Sequence, residues 1–517
     1  MMWSSTCAGR RARGSLLALL GAVSAGCSES IGPSGTEPGI NVVGGANVTD
    51  TIDAVLPQPL RVVVRDQAGD VLAGAIVRFS SVPMKEPGRP PVPSVFVSVL
   101  SDQVKKTSLA ETTSAQGAAA VRITMGEVSG AGALEISVPE AGLVDTVRYT
   151  VLPGLPARVT LPVEDTTVQV GRTFALGGRV EDRHYNVRPE AVTYALAGQG
   201  ITVSAGQVGT SVPARAAVIG RLDRSSVAPD TTWVSVVPAA TILVRRNAKF
   251  VTGPLDGTAF VDIPHELEAS DLGLEWQPDG QSFLAMLGTF NTRKALYRVS
   301  LNGSMQLLAS TSGTGAGGIA VSGVMEGFTD SPDGQWVYIS AGNCNFNAII
   351  YRLRLTTPQG VERLSPPRSE ECFGLVNHWP SASPDGTRLA FENQTGNRTG
   401  YSVQVLTIAN RSVREIAPGG RRPQWAPSGD QIAYMANNQI WTIRSDGTGA
   451  RALSPPGRKY VPGVKWSPDG EWIFAAFEPM DGWAGTTVTM LNVNTGLEIP
   501  LSWSTGYGNF PPPVWKP

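Results

Sequence analysis

Trp276-Gln277-Pro278-Asp279-Gly280, Ser331-Pro332-Asp333-Gly334, Ser383-Pro384-Asp385-Gly386, Trp425-Ala426-Pro427-Ser428-Gly429 and Trp466-Ser467-Pro468-Asp469-Gly470 repeat one phrase, and Trp515-Lys516-Pro517 begins it a sixth time. The prolines step by 54, 52, 43, 41 and 49 residues. A period of about 40–50 residues is that of a propeller blade, a four-stranded sheet. The phrase has the chemistry of a tight turn: Pro presets φ, Asp hydrogen-bonds its own backbone, and Gly takes the left-handed conformation. A strand is expected after each turn, as in Ser282-Phe283-Leu284-Ala285-Met286-Leu287 and Trp472-Ile473-Phe474-Ala475-Ala476-Phe477. A later strand precedes Asn302-Gly303, Asp446-Gly447 and Asn494-Thr495-Gly496, which read as hairpin turns.

The phrase resembles the TolB-type β-propeller repeat, over residues 240–517. The resemblance implies six blades, and the ends of the region supply the sixth. An innermost strand at 510–515 is expected to join strands at 241–244, 249–252 and 260–263, leaving no open sheet edge. The family proper carries an α/β domain before its propeller and works with the Tol–Pal envelope system. Here the preceding sequence reads as all-β, which puts that specific role in doubt.

The formal net charge of −1 offers no surface for nucleic acid or an anionic membrane. Residues 1–27 read as a targeting segment, with Arg10, Arg11 and Arg13 before the apolar run 16–25. Val23-Ser24-Ala25 would suit an ordinary signal peptidase. Ser24-Ala25-Gly26-Cys27 resembles a bacterial lipobox, in which Cys27 becomes the lipidated first residue, and this reading is preferred because a polar tether, 28–40, follows. Several acyl chains on Cys27 would hold the protein to a membrane, and Ser28 after it is compatible with outer-membrane sorting.

Residues 41–152 alternate as strands around Asp66-Gln67-Ala68-Gly69-Asp70 and resemble bacterial immunoglobulin-like repeats. Pro83 to Pro93 is read as a loop insertion. Residues 156–238 are expected to form a second such sandwich. Neither holds a cysteine, so neither has an inter-sheet disulfide. Their expected role is to space the propeller from the membrane.

In this layout Cys344 and Cys372 fall in loops on one propeller face, and in an exported chain they are expected to pair, for about 2–4 kcal/mol; two free thiols are the alternative. The same face collects Asn343, Asn345, Glu370, Glu371, Phe373, His378, Trp379, Tyr460 and Trp483. Aromatic rings with a few polar partners at a funnel mouth suit peptide or sugar binding; packing around the disulfide is the bland alternative.

The search for catalytic groups finds three histidines, His184, His265 and His378. His265-Glu266 opens like a zincin helix, but Ala269 stands where the second His belongs. There is no Gly-x-Ser-x-Gly elbow, and Gly313-Thr314-Gly315-Ala316-Gly317-Gly318 reads as an inter-blade loop rather than a dinucleotide fingerprint. No cofactor or metal is expected. The sequence therefore points to an all-β, lipid-anchored scaffold of the bacterial envelope, membrane-bound through its anchor, that binds protein or peptide partners and no nucleic acid. The alternatives are a propeller hydrolase or lyase using Glu370, Glu371, His378 and Asp481, and a purely structural spacer.

Overall fold

The computed structural model describes residues 37–517 apart from 86–89, 224, 247–248, 266–268, 288–294, 311–318, 321–323, 343–347, 356–359, 366–375, 395–399, 479–485 and 504–512. It is built of strands, with a single 3-10 turn, Pro139–Ala141, among the described residues. Two compact units divide the chain. One runs to Leu155 and includes Asp182–Asn186; the other holds Pro156–Glu181 and Val187–Pro517.

In the first unit, Gly39–Gly44, Leu60–Arg65, Ala118–Met125 and Val95–Ser98 form one sheet. A second sheet is built on Leu143–Leu152, Gly130–Val138 and Ile76–Met84. Alternation along the strands sends Leu60, Val62, Val64, Val121 and Ile123 from one sheet, and Val77, Phe79, Leu134, Ile136 and Tyr149 from the other, into one core. The proline-rich run differs from the loop expected. Pro83 and Met84 pair with Pro93 and Val92, so it begins and ends as a hairpin.

The second unit opens with small sheets over residues 158–237, around a core of Leu176, Val208, Ala216, Val218, Val234 and Val236. Six sheets follow. Five are consecutive in sequence, beginning with the inner strands Ala269–Trp276, Val324–Asp330, Val376–Ala382, Arg421–Trp425 and Lys459–Trp466. The sixth takes Val514–Trp515 from one end of the region and Thr241–Arg246, Lys249–Pro254 and Val261–Ile263 from the other. Ile242 faces Trp515 and Leu243 faces Val514 in antiparallel register, as the sequence required.

Each sheet shares an apolar core with the next, and the order is cyclic. Leu284 and Leu296 of the first sheet pack with Val337 and Ile339 of the second. Tyr338 and Ile350 then meet Leu389 and Phe391 of the third, and Val403 meets Ile432 of the fourth. Ile440 packs with Ile473 of the fifth, Phe474 with Ile242 and Trp515 of the closing sheet, and Leu243 and Phe250 with Phe283 of the first. Such radial repetition leaves each separate sheet only its own two edge strands.

The repeated phrase acts as expected in the turns. Asp279, Asp333, Asp385 and Asp469 each accept a backbone N–H two residues on, at 2.8–3.0 Å. The following glycines have φ between 58 and 74°. Hydrogen bonds from neighbouring serines and backbone hold the Asp333 and Asp385 carboxyls below the ordinary range, Asp385 at about 2. The tryptophans of the phrase do something the turn does not require: each seals its sheet against the one before it. Trp276, Trp425, Trp466 and Trp515 all lie in those shared cores.

Candidate functional site

Because side chains alternate along a strand, the residue before each of these tryptophans is on the opposite side of the strand from the indole. Glu275, Gln424, Lys465 and Val514 occupy that position. They line one cavity of about 260 Å³ together with Trp276, Trp425, Trp466, Trp515 and Pro384, Pro427, Pro468 and Pro517. The cavity thus lies at the turn end of the inner strands, where the phrase prolines converge.

The polar groups here are few and linked. Lys465 Nζ is 3.8 Å from Glu275 Oε1, which also accepts the Thr329 hydroxyl at 3.2 Å. The second sheet has Asp330 where four of the other copies have Trp and the third has Ala382. That carboxylate accepts Gln277 Nε2 at 2.9 Å, and Arg298 approaches Gln277 Oε1 at 3.5 Å. Burial, and then the nearby Glu275 charge, push the Asp330 carboxyl up to about 8. Glu275 Oε2 and the indole N–H groups of Trp276, Trp425 and Trp515 are buried with no hydrogen-bond partner among the described residues.

Of the residues singled out in the sequence, His378, Trp379 and Tyr460 are described. His378 and Trp379 stand at the far end of the third inner strand from the cavity, at a bulge between His378 and Ser381. Trp379 has φ 53°, and Arg422 lies over its ring at 4.0 Å. Tyr460 is 1% exposed. It packs among Ile440, Val464 and Phe477, and its hydroxyl donates to Glu498 at 2.8 Å; burial, then Glu498, push that phenol upward. Cys27, Asn343, Cys344, Asn345, Glu370, Glu371, Cys372, Phe373, Asp481 and Trp483 lie outside the described residues.

The other histidines have local roles. His265 Nε2 accepts the Phe250 N–H at 3.3 Å. In the first unit, His184 gathers with Asp53 and Glu127, their ligand atoms within 4.8 Å. Asp53 already holds Lys105 at 3.1 Å, as well as Arg183. Partial burial would raise its carboxyl, but Arg183 and Lys105 hold it below its usual range. Two cations in place argue against a third.

Sequence reasoning missed Glu275, Asp330, Gln424 and Lys465. The usable signal was their place in the phrase: one position before the Trp, or the Trp position itself.

No protein-family model matches this chain. A TolB homologue from Chlorobium luteolum is 39% identical over 97 residues, 18% of this chain and 21% of the relative. The Tol-Pal system protein TolB of Francisella tularensis is 34% identical over 61 residues, 11% of this chain and 14% of the relative. TolB from Acinetobacter baumannii superposes with a TM-score of 0.41 at 16% identity, over 63% of this chain and 83% of that one. The chain spans about a fifth of the length of the first of these curated relatives. It is similar to TolB proteins and carries TolB-like β-propeller repeats.

Proposed function

We propose that this chain is a peptide-binding scaffold of the bacterial envelope, held to a membrane by a lipidated Cys27. Two immunoglobulin-like sandwiches, 41–152 and 156–238, space a six-bladed propeller, 240–517, from that anchor. The cyclic order of shared cores supports the blade count. The observation that carries the function is the cavity lined by Glu275, Gln424, Lys465 and the phrase tryptophans. Indole faces take apolar side chains, while Glu275 and Lys465 offer opposite charges to a passing backbone. Similarity to proteins named for the Tol–Pal system favours a protein partner in the envelope.

An enzyme reading has one observation of its own, the raised Asp330 beside Glu275. Its neighbours Gln277 and Thr329 hold these carboxylates in place, and the acids singled out in the sequence lie outside the described residues.

The test is a peptide array probed with the full chain. Selected peptides should bind Lys465→Gln and Glu275→Gln at least tenfold more weakly, with unchanged circular dichroism. Unaltered binding by both variants would reject the cavity as the site.

A further inference from the structure

The opening sheet of the first unit, Gly39–Gly44, Leu60–Arg65, Ala118–Met125 and Val95–Ser98, turns one face to the core and one outward. Alternation sends Arg61, Val63 and Arg65 outward from the second of these strands, and Ala118, Ala120 and Arg122 from the third. No Asp or Glu occurs in any of the four strands. The other sheet of the unit differs: its strands hold Asp50, Glu111, Glu135 and Asp145. The net charge of −1 therefore conceals a segregation, with the cations of this unit gathered on one sheet face.

Strand pairing makes that face continuous. Arg61 stands opposite Ala120, and Arg122 takes the next outward position on the same strand as Ala120. Arg65 and Arg122 donate to backbone carbonyls rather than to carboxylates, Gly69 at 2.8 Å and Leu100 at 2.9 Å. The second of these bonds ties the loop after Val95–Ser98 to the sheet. Further along, Val55 bridges Thr124, and Thr124 faces Phe96. Lys105 Nζ lies 5.4 Å over the Phe96 ring and 3.1 Å from Asp53.

The same side of the unit is apolar where it projects. Val55, Leu100 and Val104 are 46, 44 and 60% exposed. Exposed aliphatic groups interleaved with Arg and Lys suit the boundary of a bilayer. There the apolar groups enter the acyl region, and the cations meet anionic headgroups.

The chain's own layout names the occupant. Gly39–Gly44 is an edge strand of this sheet, and Gly39 stands twelve residues after Cys27. At no more than about 3.6 Å per residue, a lipid on Cys27 keeps that edge within about 40 Å of the bilayer. Such a tether makes weak contacts count, because the second contact is intramolecular.

We propose that this face lies against a membrane bearing anionic phospholipids, with Leu100, Val104 and Val55 in the interface and Arg61 and Arg122 on lipid phosphates. The inference rests on the lipid-anchored scaffold reading for its proximity to a membrane, and adds a second attachment beside the anchor.

The test uses residues 28–517, which hold every described element and lack Cys27. They are floated with vesicles of phosphatidylcholine, alone or with one quarter phosphatidylglycerol. The anionic vesicles should bind at least tenfold more tightly, and more weakly as salt rises. Arg61→Gln should weaken that binding about fivefold, the effect of one basic residue at a charged surface, and Leu100→Asp at least tenfold. Arg148→Gln, in the other sheet, should leave it within twofold. Equal binding to both vesicles, or binding unmoved by Arg61→Gln and Leu100→Asp, would overturn the face. Self-association in the absence of lipid, abolished by the same two variants, would give the face to a second copy and overturn the membrane assignment. The anchor fails separately: a Cys27 peptide without acyl mass, from the parent chain expressed in a bacterium, would reject lipidation while vesicle binding by residues 28–517 stood.

Discussion

Trp515→Ala tests whether the seam between the two ends of the repeat region holds the second unit together. Trp515 is 7% exposed. It stacks on Phe474 at 4.4 Å and 20°, and it faces Ile242 across the closing sheet. Its short strand is further tied by Lys516 N–H to the Thr241 carbonyl at 2.9 Å. A buried Trp removes about 150–250 Å² from water, or about 4–6 kcal/mol at about 25 cal/mol per Å². Residual compactness of the unfolded chain lowers that by about 10–40%, and loss of the Phe474 stack restores about 0.5–1.5 kcal/mol. The expected cost is therefore about 3–7 kcal/mol, overlapping the about 3–5 kcal/mol seen for large aromatic truncations. Urea unfolding of the full chain by far-UV circular dichroism reads it. The transition of the repeat region should move to lower urea while that of the first unit stays. Trp233→Ala, at a residue 38% exposed, should cost about 1 kcal/mol or less. A Trp515→Ala midpoint within error of the parent would refute a seam carried by this strand.

Other expectations follow from the same geometry. Asp330 takes up its proton more readily folded than unfolded, because its folded pKa is raised to about 8. Stability should then fall as pH rises from the unfolded value toward 8 and level off above it; Asp330→Asn should be more stable than the parent at pH 8 and flatten that slope in thermal melts. Asp385 has the opposite sign, being held at about 2. Its contribution is present above the unfolded carboxylate value and is lost as pH falls toward 2, so Asp385→Asn should shrink the acid-side loss of stability in melts between pH 5 and pH 2. Gly327→Ala places a Cβ 3.0–3.2 Å from Trp379 and should displace that ring, read as a lower melting temperature with an altered near-UV spectrum. Glu392→Gln leaves Arg421 and the Arg422 N–H with a weaker acceptor in a buried place, and should cost about 1–3 kcal/mol in urea unfolding.

The repeat was legible because its turn needs Pro, Asp and Gly at fixed places, and because Asn-Gly and Asp-Gly punctuate the other hairpins. Strand partners at the seam followed from counting strands at both ends, and Ile242 opposite Trp515 meets that count. The cavity was not legible, for two reasons. Asp330 stands where the phrase has Trp in four copies, and the sequence gives no sign that its carboxylate lies within electrostatic reach of Glu275. The tryptophans looked like part of a turn, although their task is to seal sheet against sheet. Tyr460 shows the converse: an aromatic placed near a mouth by topology is spent on packing and on Glu498. The apolar and basic face of the first unit escaped notice because net charge averages over the whole chain, and only strand pairing sets Arg61, Arg122 and Leu100 on one side.

Hydrogen–deuterium exchange of the full chain, with and without an array-selected peptide, addresses the axial binding site most directly. Protection should concentrate in the strand ends carrying Glu275, Gln424 and Lys465, on three different sheets at once. Protection confined to one sheet's outer strands, or to the first unit alone, would contradict a ligand seated on the axis.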